Sequence, residues 1–146
     1  MNRQDRIVYK INDNFHDIIY TKNILKSLDR RINELNSDKK IVFIYDENIP
    51  NHIINDISLG LKLTGCKILS KRIKSLKKNK NIQNVLDLIK LFSNLSLTKK
   101  SIVITCGGGV IGDLVALASC LYKRGLIYIN IHSSMTALVD SCVGGK

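Results

Sequence analysis

The sequence has no tryptophan, and aromatic residues make up only 5% of its 146 residues. So few aromatic side chains exclude a stacking platform of the kind that binds single-stranded nucleic acids. Acidic residues are also few, 12 against 23 lysines and arginines, and the formal net charge is +11. Because the lysines are spread along the chain, we discount nucleic-acid binding and expect the basic field to favour small phosphorylated ligands.

Cysteine and histidine are scarce, with four and three residues respectively. No two cysteines form a Cys-x-x-Cys pair, and no histidine has potential metal ligands at a suitable spacing. The sequence therefore predicts no metal site within these residues. It predicts buried free thiols in a reducing cytoplasm at all four cysteines, which are Cys66, Cys106, Cys120 and Cys142.

The chain also lacks a convincing membrane or export signal. The amino-terminal residues MNRQDR are polar, which predicts no signal peptide. One long hydrophobic stretch covers residues 102–122, but three adjacent glycines and Asp113 lie inside it. An acid in the middle of a membrane span is costly, so we expect a strand, a turn and a helix there instead.

The length and the 45% hydrophobic content fit one domain with a buried core. The patterns predict strands at 41–45, 67–70, 102–106 and 126–131, one or two edge strands within 6–20, and a solvated basic loop at 71–80. They predict helices at 22–35, 81–95 and 114–123, a helix from Pro50 to about Leu63 that ends at Gly65, and a last helix from Ser133 or Ser134 to Val143. This alternation predicts an α/β fold with a mostly parallel sheet and helices on both faces.

The most informative stretch is SIVITCGGGVIGDL, at residues 101–114. Gly107, Gly109 and Gly112 have the spacing of the dinucleotide fingerprint, between a predicted strand and a predicted helix. Glycines permit positive φ and a close approach of ligand to backbone, and a helix N-terminus attracts phosphate. The alternative is a turn that only packs the helix onto the sheet, since the acidic residue expected about 20 positions later is missing.

Polar residues follow the predicted strand at 41–45. Ligands of open α/β sheets lie beyond the carboxyl ends of strands, so Asp46 and Asn48 are candidates for ribose or adenine contacts. The residues alone favour the simpler interpretation that one of them caps the helix that Pro50 opens. Asp140 lies among apolar residues of the last predicted helix, where an acid is either partly exposed or part of a site.

From Ser101 onwards the chain resembles the 3-dehydroquinate synthase family. The segments GGGVIGDL at 107–114, YKRG at 122–125 and VDSCVGGK at 139–146 occur in that family's order and spacing, and DEN at 46–48 matches a nucleotide-contacting strand end. The resemblance implies that residues 1–146 are the Rossmann-like, NAD-binding N-terminal domain of a two-domain lyase. In the shikimate pathway of aromatic amino acid biosynthesis, this lyase converts 3-deoxy-D-arabino-heptulosonate 7-phosphate to 3-dehydroquinate and phosphate, with NAD used catalytically.

The resemblance also implies roles for individual residues, although it assigns no catalytic residue to this sequence. The implied NAD contacts are Asp46, Asn48, Lys80, Gly108, Gly109, Val110, Ile111, Gly112, Asp113, Ser133, Ser134 and Lys146. The implied substrate contacts are Arg124 to the phosphate, together with Asp140 and Lys146. In the family a divalent metal, zinc or cobalt, is held by a glutamate and two histidines of a helical C-terminal domain that this sequence does not contain. We therefore expect no turnover by these 146 residues alone; the resemblance leaves open a homodimer of the full-length enzyme and implies no membrane or nucleic-acid partner.

Two features depart from the family pattern. Leu76 and Lys77 stand in place of a glycine and a glutamate, and a cation in place of an acid that accepts hydrogen bonds from a ribose should weaken NAD binding. His132 stands in place of a proline that precedes the hydroxyl pair. Alternatives that stay open are another sugar-phosphate cyclase, an iron-dependent alcohol or glycerol dehydrogenase, and a non-catalytic nucleotide-binding remnant.

Overall fold

The computed structural model describes residues 5–11, 14–20, 24–35, 38–74 and 77–132. Its first two strands, β1 (Asp5–Ile11) and β2 (Asn14–Tyr20), form an antiparallel two-stranded sheet. The strands predicted within residues 6–20 are therefore present. They pair with each other along their whole length and do not form the edges of the main sheet.

The main sheet consists of four parallel strands, β3 (Lys40–Asp46), β4 (Lys67–Ile73), β5 (Ile102–Gly107) and β6 (Ile127–His132). Their order in the sheet is β4-β3-β5-β6. The chain passes from β3 outwards to β4 and then returns to β5 on the other side of β3. The direction in which the sheet grows therefore reverses between β3 and β5, and such a switch point is where open α/β sheets bind their ligands.

Helices cover both faces of this sheet, as the alternation predicts. They are α1 (Ile24–Glu34), α2 (Asn51–Leu63), α3 (Ile82–Asn94) and α4 (Gly109–Leu121). Ile41 and Phe43 of β3 pack towards α1 and α2, whereas Val42 and Ile44 pack towards α3 and α4. Burial of each such side chain contributes about 1.5–3 kcal/mol, so the two central strands anchor both layers. Within the described ranges, no helix has the length and apolarity that crossing a membrane requires.

Several boundaries differ from the prediction. Helix α4 begins at Gly109, five residues before the predicted start at 114. Strand β4 runs to Ile73, so the first part of the basic segment 71–80 is strand, and residues 77–79 form a 3₁₀ turn. Lys71 and Arg72 can belong to a strand because β4 is the outer strand and their side chains are exposed. The last predicted helix, from Ser133 or Ser134 to Val143, lies outside the described residues.

The cysteines are less buried than predicted. Cys106 on β5 is buried, Cys66 is half-buried, and Cys120 is exposed on α4. The prediction of a buried thiol is therefore wrong for Cys120, which lies on the solvent side of the helix. All three thiols are free, and Cys142 lies outside the described residues.

Candidate functional site

A cleft of about 730 Å³ opens at the carboxyl ends of β3, β5 and β6, on the side of the sheet that α1 and α2 cover. It therefore lies at the switch point of the sheet. Three of the predicted site residues line it, Asp46, Asn48 and Gly108. The full lining consists of Ile24, Asp46, Asn48, Ile49, Pro50, Ile53, Asp56, Ile57, Cys106, Gly108, Ile131 and His132.

Asp46 and Asn48 form a turn at the end of β3. One carboxylate oxygen of Asp46, Oδ1, accepts hydrogen bonds from the Asn48 backbone N–H at 3.0 Å and from Asn48 Nδ2 at 2.9 Å. Helix α2 begins at Asn51 after Pro50, without a side-chain cap. The interpretation of Asp46 or Asn48 as a helix cap is therefore wrong. Both residues line the cleft instead; Asn48 is exposed there, whereas Asp46 is buried and only 7% exposed.

The strand–turn–helix at the glycines is tighter than predicted. Strand β5 ends at Gly107, Gly108 is the N-cap with φ −85° and ψ −174°, and α4 begins at Gly109. Glycine has no side chain with which to cap the helix, and the first intrahelical bond is donated by the Gly112 N–H to Gly108 O at 3.1 Å. The N–H groups before Gly112 have no partner in the helix, so the N-terminus of α4 is suited to an anion.

Gly107 and Gly112 are needed for space, and no glycine of this turn has a positive φ. The positive-φ glycines of the described chain are Gly65 and Gly125. A Cβ on Gly107 would lie 2.3 Å from Ile111 Cγ2, and one on Gly112 would lie 2.9 Å from Asn130 Nδ2. A Cβ on Gly108 would meet nothing within 4 Å. Gly108 is therefore the position where bare backbone faces open space in the cleft.

Lys80 comes to the first turns of α4 from the start of α3. Its Nζ lies 2.6 Å from Asp113 Oδ2, and both side chains are partly exposed. Two predicted cofactor contacts that are 33 residues apart in the chain are thus brought together. The pair places an ammonium and a carboxylate together at the first turns of α4, so it adds no net charge there. Ile111, by contrast, is buried in the core, so it can reach a ligand only through its backbone.

Two further groups line the cleft without adding charge to it. Burial, together with the negative charge of Asp46, raises the pKa of the Cys106 thiol to about 11, so the thiol stays neutral and is a poor nucleophile. Burial lowers the pKa of His132, so its imidazole is neutral at pH 7. Among the residues that the structure describes, no three histidine, cysteine or carboxylate side chains are grouped so as to hold a metal ion.

Arg124 is not part of this cleft. It belongs to a 3₁₀ turn, Tyr122–Arg124, that follows the far end of α4 and precedes β6. Helix α4 has 13 residues and is about 20 Å long at 1.5 Å per residue. Arg124 therefore lies at the amino ends of the strands, whereas Gly108 lies at the carboxyl ends. Ser133, Ser134, Asp140 and Lys146 lie outside the described residues, and their assignments stay predictions.

The sequence interpretation missed the polar side chains of β5 and β6 that lie between the sheet and the glycine turn at the start of α4. Thr105 of β5 contacts Tyr128 and Asn130 of β6, and Tyr128 contacts Gly112 of α4. The signal was present, because Tyr128 and Asn130 are two residues apart in a predicted strand and so share a face. Their meeting with Thr105 depends on the pairing of β5 with β6, which the sequence pattern does not specify.

The fold and the site define the class of this protein. It has a Rossmann-like α/β fold, with a cleft at the switch point of the sheet and an uncapped helix N-terminus beside it. Residues 70–146, more than half of the chain, match the family described as 3-dehydroquinate synthase N-terminal. The chain belongs to the 3-dehydroquinate synthase family.

One similar curated protein is the 3-dehydroquinate synthase of Clostridium acetobutylicum, which is 33% identical over 137 residues. The match covers 94% of this chain and 38% of that protein. The chain thus spans about two fifths of the length of the curated relatives it matches.

Two solved structures show the same fold. A 2-deoxy-scyllo-inosose synthase complexed with carbaglucose-6-phosphate, NAD⁺ and Co²⁺ matches with a TM-score of 0.82 at 18% identity, over 94% of this chain and 38% of that one. The 2-epi-5-epi-valiolone synthase of Streptomyces hygroscopicus, with NAD⁺ and Zn²⁺ bound, matches with a TM-score of 0.64 at 19% identity, over 70% of this chain and 29% of that one. At these identities the likeness supports the fold alone.

Proposed function

We propose that this chain is the NAD-binding part of a 3-dehydroquinate synthase, and that the cleft at the switch point holds the dinucleotide. The observation that carries the proposal is the uncapped N-terminus of α4 beside Gly108, whose bare backbone faces open space. The relatives support the assignment, and the bound NAD⁺ named for two proteins of the same fold is consistent with it.

The residues present fit a diphosphate flanked by polar sugars. The free N–H groups and the positive end of the α4 dipole would hold the diphosphate, with Lys80 beside them. Asp46 and Asn48 lie across the same cleft, and their oxygens can accept hydrogen bonds from ribose hydroxyls. The net charge of +11 would also favour the approach of an anionic cofactor.

When bound, NAD would supply an acceptor for a hydride from the substrate and a donor that returns it. The described residues would contribute binding and orientation to that chemistry. They offer no metal site, so we assign no metal-dependent step to them.

We further propose 3-dehydroquinate as the product of the full-length enzyme, formed in the cytoplasm. A relative of that name is 33% identical, whereas the two other cyclases are 18% and 19% identical. Because the family resemblance assigns the metal ligands to a domain beyond these residues, we expect the 146-residue chain alone to bind NAD without releasing phosphate from substrate.

A substitution at Gly108 separates ligand binding from folding. The backbone of Gly108 already has the extended conformation of an N-cap, so Gly108→Asp should cap α4 and keep or slightly raise the unfolding free energy, by a few tenths of a kcal/mol. The same carboxylate would occupy the anion site and repel the diphosphate. We expect the affinity for NAD⁺, measured by calorimetry, to fall at least about tenfold. Two like charges a few ångströms apart near a protein surface repel with a free energy of a few kcal/mol, and about 1.4 kcal/mol corresponds to tenfold in affinity.

Gly108→Asn is the matched control, because it caps the helix equally well without a charge. We expect it to weaken NAD⁺ binding less than Gly108→Asp does. The proposal fails if the wild-type chain shows no NAD⁺ binding at millimolar concentration, or if the Asp variant binds as tightly as the wild type.

A further inference from the structure

Three hydrogen-bonded polar side chains, those of Thr105, Tyr128 and Asn130, lie between the sheet and the first turns of α4. The Thr105 hydroxyl is 2.9 Å from the Tyr128 hydroxyl and 2.8 Å from Asn130 Oδ1. The Tyr128 hydroxyl donates to the backbone oxygen of Gly112 at 3.1 Å. Thr105 is fully buried, so its hydroxyl depends on these partners alone.

The pairing of β5 with β6 brings these groups together. Thr105 is paired with Asn130, and Tyr128 is two residues earlier on the same face of β6. Gly112 completes the arrangement, because a Cβ at that position would lie 2.9 Å from Asn130 Nδ2. The helix can therefore approach the strands closely enough for the Tyr128 hydroxyl to reach a carbonyl in its second turn.

The number of available protons decides which group donates and which accepts in each of these hydrogen bonds. With the Asn130 amide oxygen facing Thr105, the two hydroxyl protons are used on Asn130 and on Gly112 O, and the contact between the hydroxyls has no proton. After a half-turn of the Asn130 amide, Nδ2 donates to Thr105, Thr105 donates to Tyr128, and Tyr128 donates to Gly112 O. In that orientation each contact has its own donor, whereas the orientation with Oδ1 towards Thr105 leaves the contact between the two hydroxyls without a proton.

The Tyr128 hydroxyl, which bonds to Gly112 O, keeps its proton and remains a donor across the physiological pH range. Burial raises the pKa of Tyr128 above that of a free tyrosine, and the nearby charge of Asp113 also raises it, while the bond with Thr105 opposes these effects. The Gly112 oxygen thus accepts from Tyr128 as well as from the helix.

We infer that Tyr128, held by Thr105 and Asn130, is a positioning residue that fixes the first turns of α4 and so aims their free N–H groups at the dinucleotide. This inference rests on the proposed NAD binding. Tyr128 itself lies beneath the turn and acts through Gly112, not by contact with the ligand. A purely structural role for its hydroxyl predicts a loss of stability without a change in affinity.

Tyr122 offers a matched control at the other end of the same helix. Its hydroxyl donates to the backbone oxygen of Leu97 at 3.3 Å, far from the cleft. Tyr128→Phe and Tyr122→Phe each remove one hydroxyl-to-carbonyl bond and leave the ring in place. Tyr128→Phe also removes the contact with the buried Thr105 hydroxyl, so it should lose more stability than Tyr122→Phe. The comparison that decides between the two roles is therefore what happens at the helix N-terminus.

The experiment measures three quantities for both variants: the melting temperature, amide hydrogen exchange from Gly112 to Ala116, and the Kd for NAD⁺. We expect Tyr128→Phe to accelerate that exchange and to raise the Kd about three- to tenfold, the range that one lost hydrogen bond allows. Tyr122→Phe should leave both at wild-type values. The inference is overturned if Tyr128→Phe also leaves both unchanged, or if both variants alter the Kd equally.

A failure of the proposed function would be visible separately. If the wild-type chain does not bind NAD⁺, the exchange comparison decides the positioning role alone. Faster exchange in Tyr128→Phe than in Tyr122→Phe then supports it, and equal rates overturn it.

Discussion

At the scale of single residues, the buried polar groups differ sharply in how well they are satisfied. Ser101 is fully buried, and its hydroxyl donates to Asp38 at 2.7 Å and accepts from the Thr98 N–H at 2.9 Å. Ser119 on α4 is equally buried, yet its hydroxyl has no hydrogen-bond partner among the described residues. A buried group without a partner costs free energy, so the two serines should respond oppositely to the same substitution.

Ser119→Ala should raise the free energy of unfolding by about 0.5–1 kcal/mol, because it removes an unsatisfied hydroxyl and alanine is the better helix former. Ser101→Ala is the matched control and should lower it by about 1–3 kcal/mol, since Asp38 and the Thr98 N–H each lose a partner. Denaturant unfolding measures both. A loss of stability in Ser119→Ala would show that its hydroxyl does have a partner.

At the scale of elements, Asp38 joins the amino ends of the two central strands. It lies just before β3, and its carboxylate accepts hydrogen bonds from Thr98 and Ser101, which precede β5. It also accepts from the Lys40 N–H at 3.1 Å. Burial raises the pKa of Asp38, but these hydrogen bonds, together with the charge of Lys40, outweigh burial and hold the pKa below its usual value.

This lowered pKa makes a pH-dependent contribution to stability. Because the folded state binds the proton less tightly than the unfolded chain, the contribution is complete above the unfolded pKa of about 4 and is lost as the pH falls through the folded pKa. We expect Asp38→Asn to be less stable at pH 7 by about 1 kcal/mol and to lose less stability than the wild type on acidification below about pH 4. Urea unfolding between about pH 2 and 7 measures this, and parallel pH profiles would contradict it.

Also at this scale, the sequence predicts most helices and strands, but it does not predict where α4, the helix at the candidate site, begins. Gly65 does end α2 with a φ of 68°, and helix α3 starts within one residue of its prediction, because each signal is local. The start of α4 at Gly109 was missed since glycines disfavour helix, and here the burial of Ile111 against the sheet overrides that propensity. A local pattern cannot report such tertiary packing.

At the scale of the whole molecule, the alternation of strands and helices was enough to predict a parallel sheet with two helical layers. The cleft could be predicted only in part. The polar end of β3 indicated Asp46 and Asn48, and the family resemblance implied Gly108; these three residues do line one cleft. Two other features depend on packing between distant segments of the sequence: the ion pair of Lys80 with Asp113 and the hydrogen bond of Tyr128 with Gly112. The residue pattern alone does not specify that packing.

The central claim is that the N-terminus of α4, at the switch point of the sheet, binds NAD. Its most direct test is a titration of the isotope-labelled chain with NAD⁺, followed through its backbone amide resonances. The account predicts the largest shifts at 108–113 and at 46–48, with little change at the 3₁₀ turn 122–124 at the opposite end of α4. Shifts centred on that distant turn, or none at saturating NAD⁺, would contradict it.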